Sequence, residues 1–282
     1  MAHLLVPIIR EPQARTLLEM GDAVVAGSDG DGVALGMVEV PERRVPDLTS
    51  VVVQRRRELL RWIAQIDAKA HPPGSPPGLG IGMRVAHDVS LGIREAVYEY
   101  GSDLILIEWP GPTSRRPRLL GRVLDDLVSA PPANLVLVRT DPSVDSLRDS
   151  GRPVLAPVRG GPNAALSVTV ASALSQLTGG ELTLLHVYHP HSTREERRRE
   201  RERFEHLTDP IRSVQVSLLE RESTDPARAI LAEASDWRVF VLGAHVDPGG
   251  GSVLVRSEIA RTVRRLPGTV VMVRTTRSVN RR

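Results

Sequence analysis

Two loops of this 282-residue chain carry the residue types that hold phosphate. One contains Gly243, His245, the run Gly249-Gly250-Gly251 and Ser257, between an apolar run and a helical stretch. The other contains Gly111, Gly121 and Arg122 in a comparable setting. Glycine lets backbone N–H groups come close to an anion, and the free N–H groups of a following helix point at it. Arg122, Arg256 and Arg159, the last placed just after a short apolar run, add charge-assisted donors for the same anion. Covalent and acid–base chemistry has no comparable carrier. There is no G-x-S-x-G elbow, no H-E-x-x-H pair and no phosphate-loop lysine, since the one lysine is Lys69. A non-enzymatic protein is therefore expected.

Other constellations carry weaker chemistry. His186, His189 and His191 have the density of a zinc site, but no carboxylate stands at ligand spacing, and a solvated loop is the expectation. The run from Arg194 to Glu205 mixes signs at helical spacing and reads as an exposed, self-paired helix face. Trp109 has the size to floor a base pocket, and packing is the commoner use. Gly78 to Gly82 (GLGIG) precedes a strand and not a helix, so it is no dinucleotide motif.

These loops are positioned by a duplication. Asp103 to Arg139 and Arg238 to Arg274 follow one plan at a constant offset of 135 positions. Each is a short apolar run, a Gly/Pro-rich loop, a helical stretch, a proline (Pro132, Pro267) and a second apolar run ending Val-Arg. The chain divides into repeat 1 (1–140), a polar linker (141–151) and repeat 2 (152–282). In each repeat five apolar runs alternate with four helical stretches. Asp88 and Asp225 stand where N-caps belong, ahead of helical stretches. Strands are expected at Met83 to Ala86 and Val214 to Leu219, among others, and helices at Ser50 to Ala70, Asn163 to Leu177 and Leu254 to Arg265. The fold class is α/β: two flavodoxin/Rossmann-like units, each an open five-stranded parallel sheet with helices on both faces. The five-strand count suits a flavodoxin-like order, with the switch point beside the first and fourth strands. Uninterrupted apolar residues in the last strand of each repeat would make hazardous open edges, so the two units are expected to pair through them.

The strand-Pro openings (Val6-Pro7-Ile8, Ala156-Pro157-Val158), the helix starts Asp88 to Ile93 and Asp225 to Ile230, and the fourth-strand loops together resemble the universal stress protein family, as a tandem pair covering nearly the whole chain. The resemblance implies a stress-response or regulatory protein. It also implies a site for ATP or another adenine nucleotide, built on G-x2-G-x9-G-[S/T] in the fourth-strand loop. Glu108, Gly111, Gly121 and Arg122 occupy those positions in repeat 1, and Gly243, Val246, Arg256 and Ser257 in repeat 2. Each repeat keeps a complementary pair, so any site is expected to be asymmetric. The acidic residue that nucleotide-binding members place after the first strand is replaced by Ile9 and Arg159. The alternative is a regulatory or interaction module of a membrane transporter, because the Glu108-Trp109-Pro110-Gly111 loop resembles repeats appended to amino-acid permeases and cation/proton antiporters.

Composition bounds the rest. The chain is 41% apolar and 25% charged, as globular proteins are, with a net charge of +3 that gives no specific nucleic-acid footprint. It has no cysteine, which removes disulfides and thiolate metal sites. No apolar run reaches the roughly 20 residues of a membrane span. The opening MAHLLVPIIREP lacks a signal-peptide pattern, so the cytoplasm is the expected location. A homodimer and a transporter partner are both compatible with this composition.

Overall fold

Runs such as Leu104-Ile105-Leu106-Ile107 have no polar face, so a strand made of them must be covered on both sides. The computed structural model describes residues 2–9, 14–40, 53–54, 57–65, 78–109, 121–211, 214–244 and 258–276, with the backbone alone at 121–122, 210 and 258–261. Repeat 1 comprises β1 (His3–Ile8), α1 (Ala14–Gly27), β2 (Asp31–Glu39), the helical residues 57–65 (α2), β3 (Gly80–Ala86), α3 (Val89–Tyr100), β4 (Leu104–Glu108), α4 (Gly121–Ser129) and β5 (Asn134–Arg139). Repeat 2 comprises β6 (Val154–Pro157), α5 (Ala164–Thr178), β7 (Leu182–Tyr188), α6 (Arg194–Thr208), β8 (Val216–Glu222), α7 (Pro226–Glu233), β9 (Val239–Gly243), α8 (Glu258–Arg265) and β10 (Thr269–Arg274).

The ten strands of the described residues form one sheet, in the order β3-β2-β1-β4-β5-β10-β9-β6-β7-β8. Within each repeat the strands are parallel, in the order 3-2-1-4-5. That is the Rossmann order short of its sixth strand, not the flavodoxin order, and it sets the switch point between the first and fourth strands. β5 and β10 close the two halves antiparallel, from Val270 against Arg139 to Arg274 against Leu135. Leu137 pairs with Met272, its own counterpart at the repeat offset, so a pseudo-two-fold axis passes between them.

Alternation along the strands builds two apolar layers, each continuous across the seam. Leu4, Val6 and Ile8 join α1 and α5 on one face, with Val154, Val241 and Val273. Leu5, Ile105 and Ile107 join α3 and α4 on the other, with Phe240, Val263 and Met272. α1 and α5 also meet across the axis, where Gly27 lies against Ala173.

Local chemistry sets the helix ends. Asp88 accepts from Leu91 N–H and Asp225 from Arg228 N–H, each at 3.1 Å, as their positions predict. Two strands differ from expectation. β3 starts at Gly80, before Met83, and β8 runs to Glu222, past Leu219. In β8 the extension is polar because it is an edge whose charges are taken up by neighbouring helices. The segment expected to be a plain linker is anchored: Leu147 is buried, and Glu19 of α1 accepts from its N–H at 3.0 Å.

Candidate functional site

The switch point of repeat 2 lies beyond the carboxyl ends of β6 and β9, whose shared pairing runs only from Val154–Val239 to Leu155–Phe240. β6 leaves the sheet at Pro157, and the chain turns through Val158, Arg159, Gly160, Gly161 and Pro162 into α5. Gly160 and Gly161 have φ of 78° and 92°, a backbone that side-chain-bearing residues rarely adopt. Among the described residues nothing stands within 4 Å of where their Cβ atoms would be. Arg159 is exposed here and has no ion pair among the described residues.

Asn163 precedes α5 but does not cap it. Its amide instead donates to the Ala244 carbonyl at 2.7 Å, and its Oδ1 accepts from the N–H and hydroxyl of Thr275, both at 2.8 Å. One side chain thus ties the ends of β9 and β10 to the start of α5. Gly243 completes the arrangement: a Cβ there would lie 3.2 Å from Asn163 Cβ and 3.7 Å from Ser167 Oγ. The glycine therefore admits the start of the helix against the strand end. Ser167 is buried next to it, its hydroxyl without a hydrogen bond among the described residues.

Of the residues singled out in the sequence, the structure brings Gly243 and Arg159 to this crevice. Gly121 and Arg122 open α4, where only the backbone is described. Gly111, His245, Gly249, Gly250, Gly251 and Ser257 lie outside the described residues. Asn163 and Ser167 were missed. Asn163 reads as an ordinary N-cap, and its real partners come from strands more than 80 positions away.

The same place in repeat 1 is built differently. Ile9 stands exposed where repeat 2 has Arg159, and β4 ends on Glu108 where β9 ends on Gly243. Trp109 is buried in the layer under α3 and α4, so it packs the core. Its backbone N–H donates to the Val138 carbonyl at 2.6 Å, as Ala244 N–H does to Val273 at 2.7 Å, which verifies the equivalence.

The histidine cluster divides in two. His186 is not in a solvated loop: it is buried on β7, with Nδ1 3.0 Å from the Val158 carbonyl and Nε2 3.0 Å from a Glu200 carboxylate oxygen. The carboxylate comes from α6, fourteen residues on, a distance that local spacing cannot register. His189 and His191 are exposed in the following turn, their rings 5.3 Å apart. Around His186, α6 and β8 form a charged lattice. Arg201 Nη2 donates to both Glu220 carboxylate oxygens at 2.8 and 2.9 Å, Tyr188 donates to Glu220 at 2.9 Å, and Arg197 pairs with Glu222. α6 also carries the expected internal pairs, Arg198 and Arg199 with Glu195.

No family model and no curated protein matches the sequence. Solved structures match its fold. A universal stress protein from Archaeoglobus fulgidus superposes with a TM-score of 0.64 at 19% identity, covering 97% of this chain and 96% of that one. The chain has the universal stress protein fold, two units long. A functionally unknown protein from Pseudomonas aeruginosa matches this fold with a TM-score of 0.59 at 14% identity, over 98% of this chain and 93% of that one. The cytoplasmic domain of a prokaryotic cation chloride cotransporter gives 0.58 at 14%, over 96% and 95%. Among the described residues of this universal stress protein fold, no helix is long and apolar enough to cross a membrane, and no three His, Asp or Glu side chains converge as a metal site.

Proposed function

We propose that this chain is a tandem universal stress protein: a non-enzymatic regulatory module of the cytoplasm, with one adenine-nucleotide site, at the switch point of repeat 2. The observation that carries this reading is the asymmetry of the two switch points. Repeat 2 ends β9 on a bare glycine beside a Gly-Gly turn and an exposed Arg159, which has no ion pair among the described residues. Repeat 1 ends β4 on a carboxylate that repels phosphate, followed by a bulky core residue. A polyanion therefore has one favourable strand end, and Arg159 beside it supplies the charge.

The test is a thermal-shift series with ATP, ADP, AMP and cyclic nucleotides. A nucleotide at 100 times its dissociation constant stabilises the fold by about 2.7 kcal/mol. Arg159→Asp, at an exposed position, should leave the unliganded midpoint unchanged and reduce the shift. No shift with any nucleotide would refute the reading.

A second reading has its own support, the full-length likeness to the cytoplasmic domain of a cation chloride cotransporter. Under it, the chain regulates a transporter and needs no nucleotide. Co-purification with a membrane protein, in the absence of any nucleotide shift, would favour it.

A further inference from the structure

The ten-stranded sheet has two outer edges, β3 and β8, in equivalent places of the two repeats. They are treated in opposite ways. β8 carries Glu220, Arg221 and Glu222, engaged by Arg201, Glu233 and Arg197. Charges so placed are how natural sheets refuse further strands. Among the described residues, β3 has no such guard. Its one charge, Arg84, is turned to Glu95 and Glu99 of α3. Ile81 and Val85 are 39% and 47% exposed, and Tyr98 and Leu91 of the adjacent α3 are 79% and 56% exposed.

The residue order of β3 also specifies what fits it. In Gly80-Ile81-Gly82-Met83-Arg84-Val85-Ala86, the face made by Ile81, Met83 and Val85 is palindromic about Met83. An antiparallel copy centred there sets Ile81 opposite Val85, Gly82 opposite Arg84 and Gly80 opposite Ala86. Each large apolar residue then meets another, and each arginine meets a glycine in place of its own like charge. A two-fold contact requires this self-complementarity, whereas a foreign strand would not.

We propose that β3 is a dimer contact: a second copy of this chain pairs antiparallel with it, centred on Met83, and extends the sheet across the new axis. This goes beyond the proposed nucleotide site and does not depend on it.

The absence of cysteine makes the register directly testable in the full chain. In Met83→Cys the two thiols face each other, at an antiparallel Cα separation of about 4.5–5.5 Å, within disulfide reach. In Val85→Cys the two copies lie four residues apart along the strand, about 13 Å, beyond it. Mild oxidation should cross-link most of Met83→Cys and little of Val85→Cys. Light scattering across concentrations should show a dimer whose dissociation constant rises at least tenfold in Ile81→Lys. Leu218→Lys, on the opposite edge and 45% exposed, should leave it unchanged. The cysteine pair reads the contact independently, should Ile81→Lys perturb folding. A monomer at every concentration, equal cross-linking at both positions, or loss of the dimer through Leu218→Lys would overturn the proposal.

Discussion

Glu220 and Asp141 show how single carboxylates make the stability of this fold depend on pH. Arg201 and then the Tyr188 hydroxyl bond to Glu220 and hold its carboxyl below the usual range, against the effect of desolvation. Burial alone would raise Asp141, but the N–H and hydroxyl of Ser143, with Arg152 and Arg139, outweigh it and leave the group lowered. A lowered folded value means the unfolded chain binds the proton first. The stabilisation is therefore complete above the unfolded carboxylate range of about 4 and lost as pH falls through and below it. Urea midpoints measured from pH 6 down to pH 3 should fall, and the double variant Glu220→Gln, Asp141→Asn should fall less steeply. Equal slopes would show that these two groups carry none of the dependence. Of this network the sequence reveals only the helix side: Glu195, Arg198 and Arg199 pair within α6, whereas the partners of Glu220, Glu222 and His186 meet only once β7, β8 and α6 are packed.

At the scale of elements, the readable signals are those that act over a turn or a strand. Asp88, Asp225 and the reciprocal capping box of Thr193 and Glu196 are written in adjacent residues, and each forms. Apolar runs without alternation announce buried parallel strands for the same reason. The candidate site is less legible, because the role of Asn163 depends on β9 and β10 and much of the glycine signal lies outside the described residues. The join between α1 and the linker was likewise invisible. Glu19 is almost fully buried and accepts from Arg15 Nε at 3.0 Å, Ser146 Oγ at 2.7 Å and Leu147 N–H at 3.0 Å. Removing the acceptor leaves a buried N–H unpaired, so Glu19→Ala should cost about 1–3 kcal/mol. Glu19→Gln keeps an oxygen for Leu147 and should cost less. Thermal unfolding reads the cost, and faster proteolysis between 141 and 151 in Glu19→Ala reads the release of the linker.

The whole molecule is organised by the seam, where both layers of the core and one sheet run through both repeats. Polar contacts repeat the symmetry there: Thr269 Oγ1 accepts from Asp141 N–H at 3.2 Å, and the equivalent Asn134 Oδ1 accepts from Thr276 N–H at 2.9 Å. Arg139 adds a bond from repeat 1 into repeat 2. Its half-buried guanidinium, lowered from its ordinary value by desolvation, donates to the Val263 and Leu266 carbonyls at 2.8 and 2.7 Å and so closes the C-terminal end of α8. Repeats joined this way should unfold together rather than one after the other. Of the three tryptophans, Trp62 and Trp109 lie in repeat 1 and Trp237 in repeat 2, so single-tryptophan variants keeping Trp109 alone or Trp237 alone report each half separately. Their denaturant midpoints should coincide. Arg139→Ala should lower both midpoints equally, for a loss of stability of about 1.5–3 kcal/mol from the charge-assisted bonds to two carbonyls. If only the Trp237 midpoint moved, or if the two reporters separated with Arg139 in place, the repeats would be two independent folding units that share an edge.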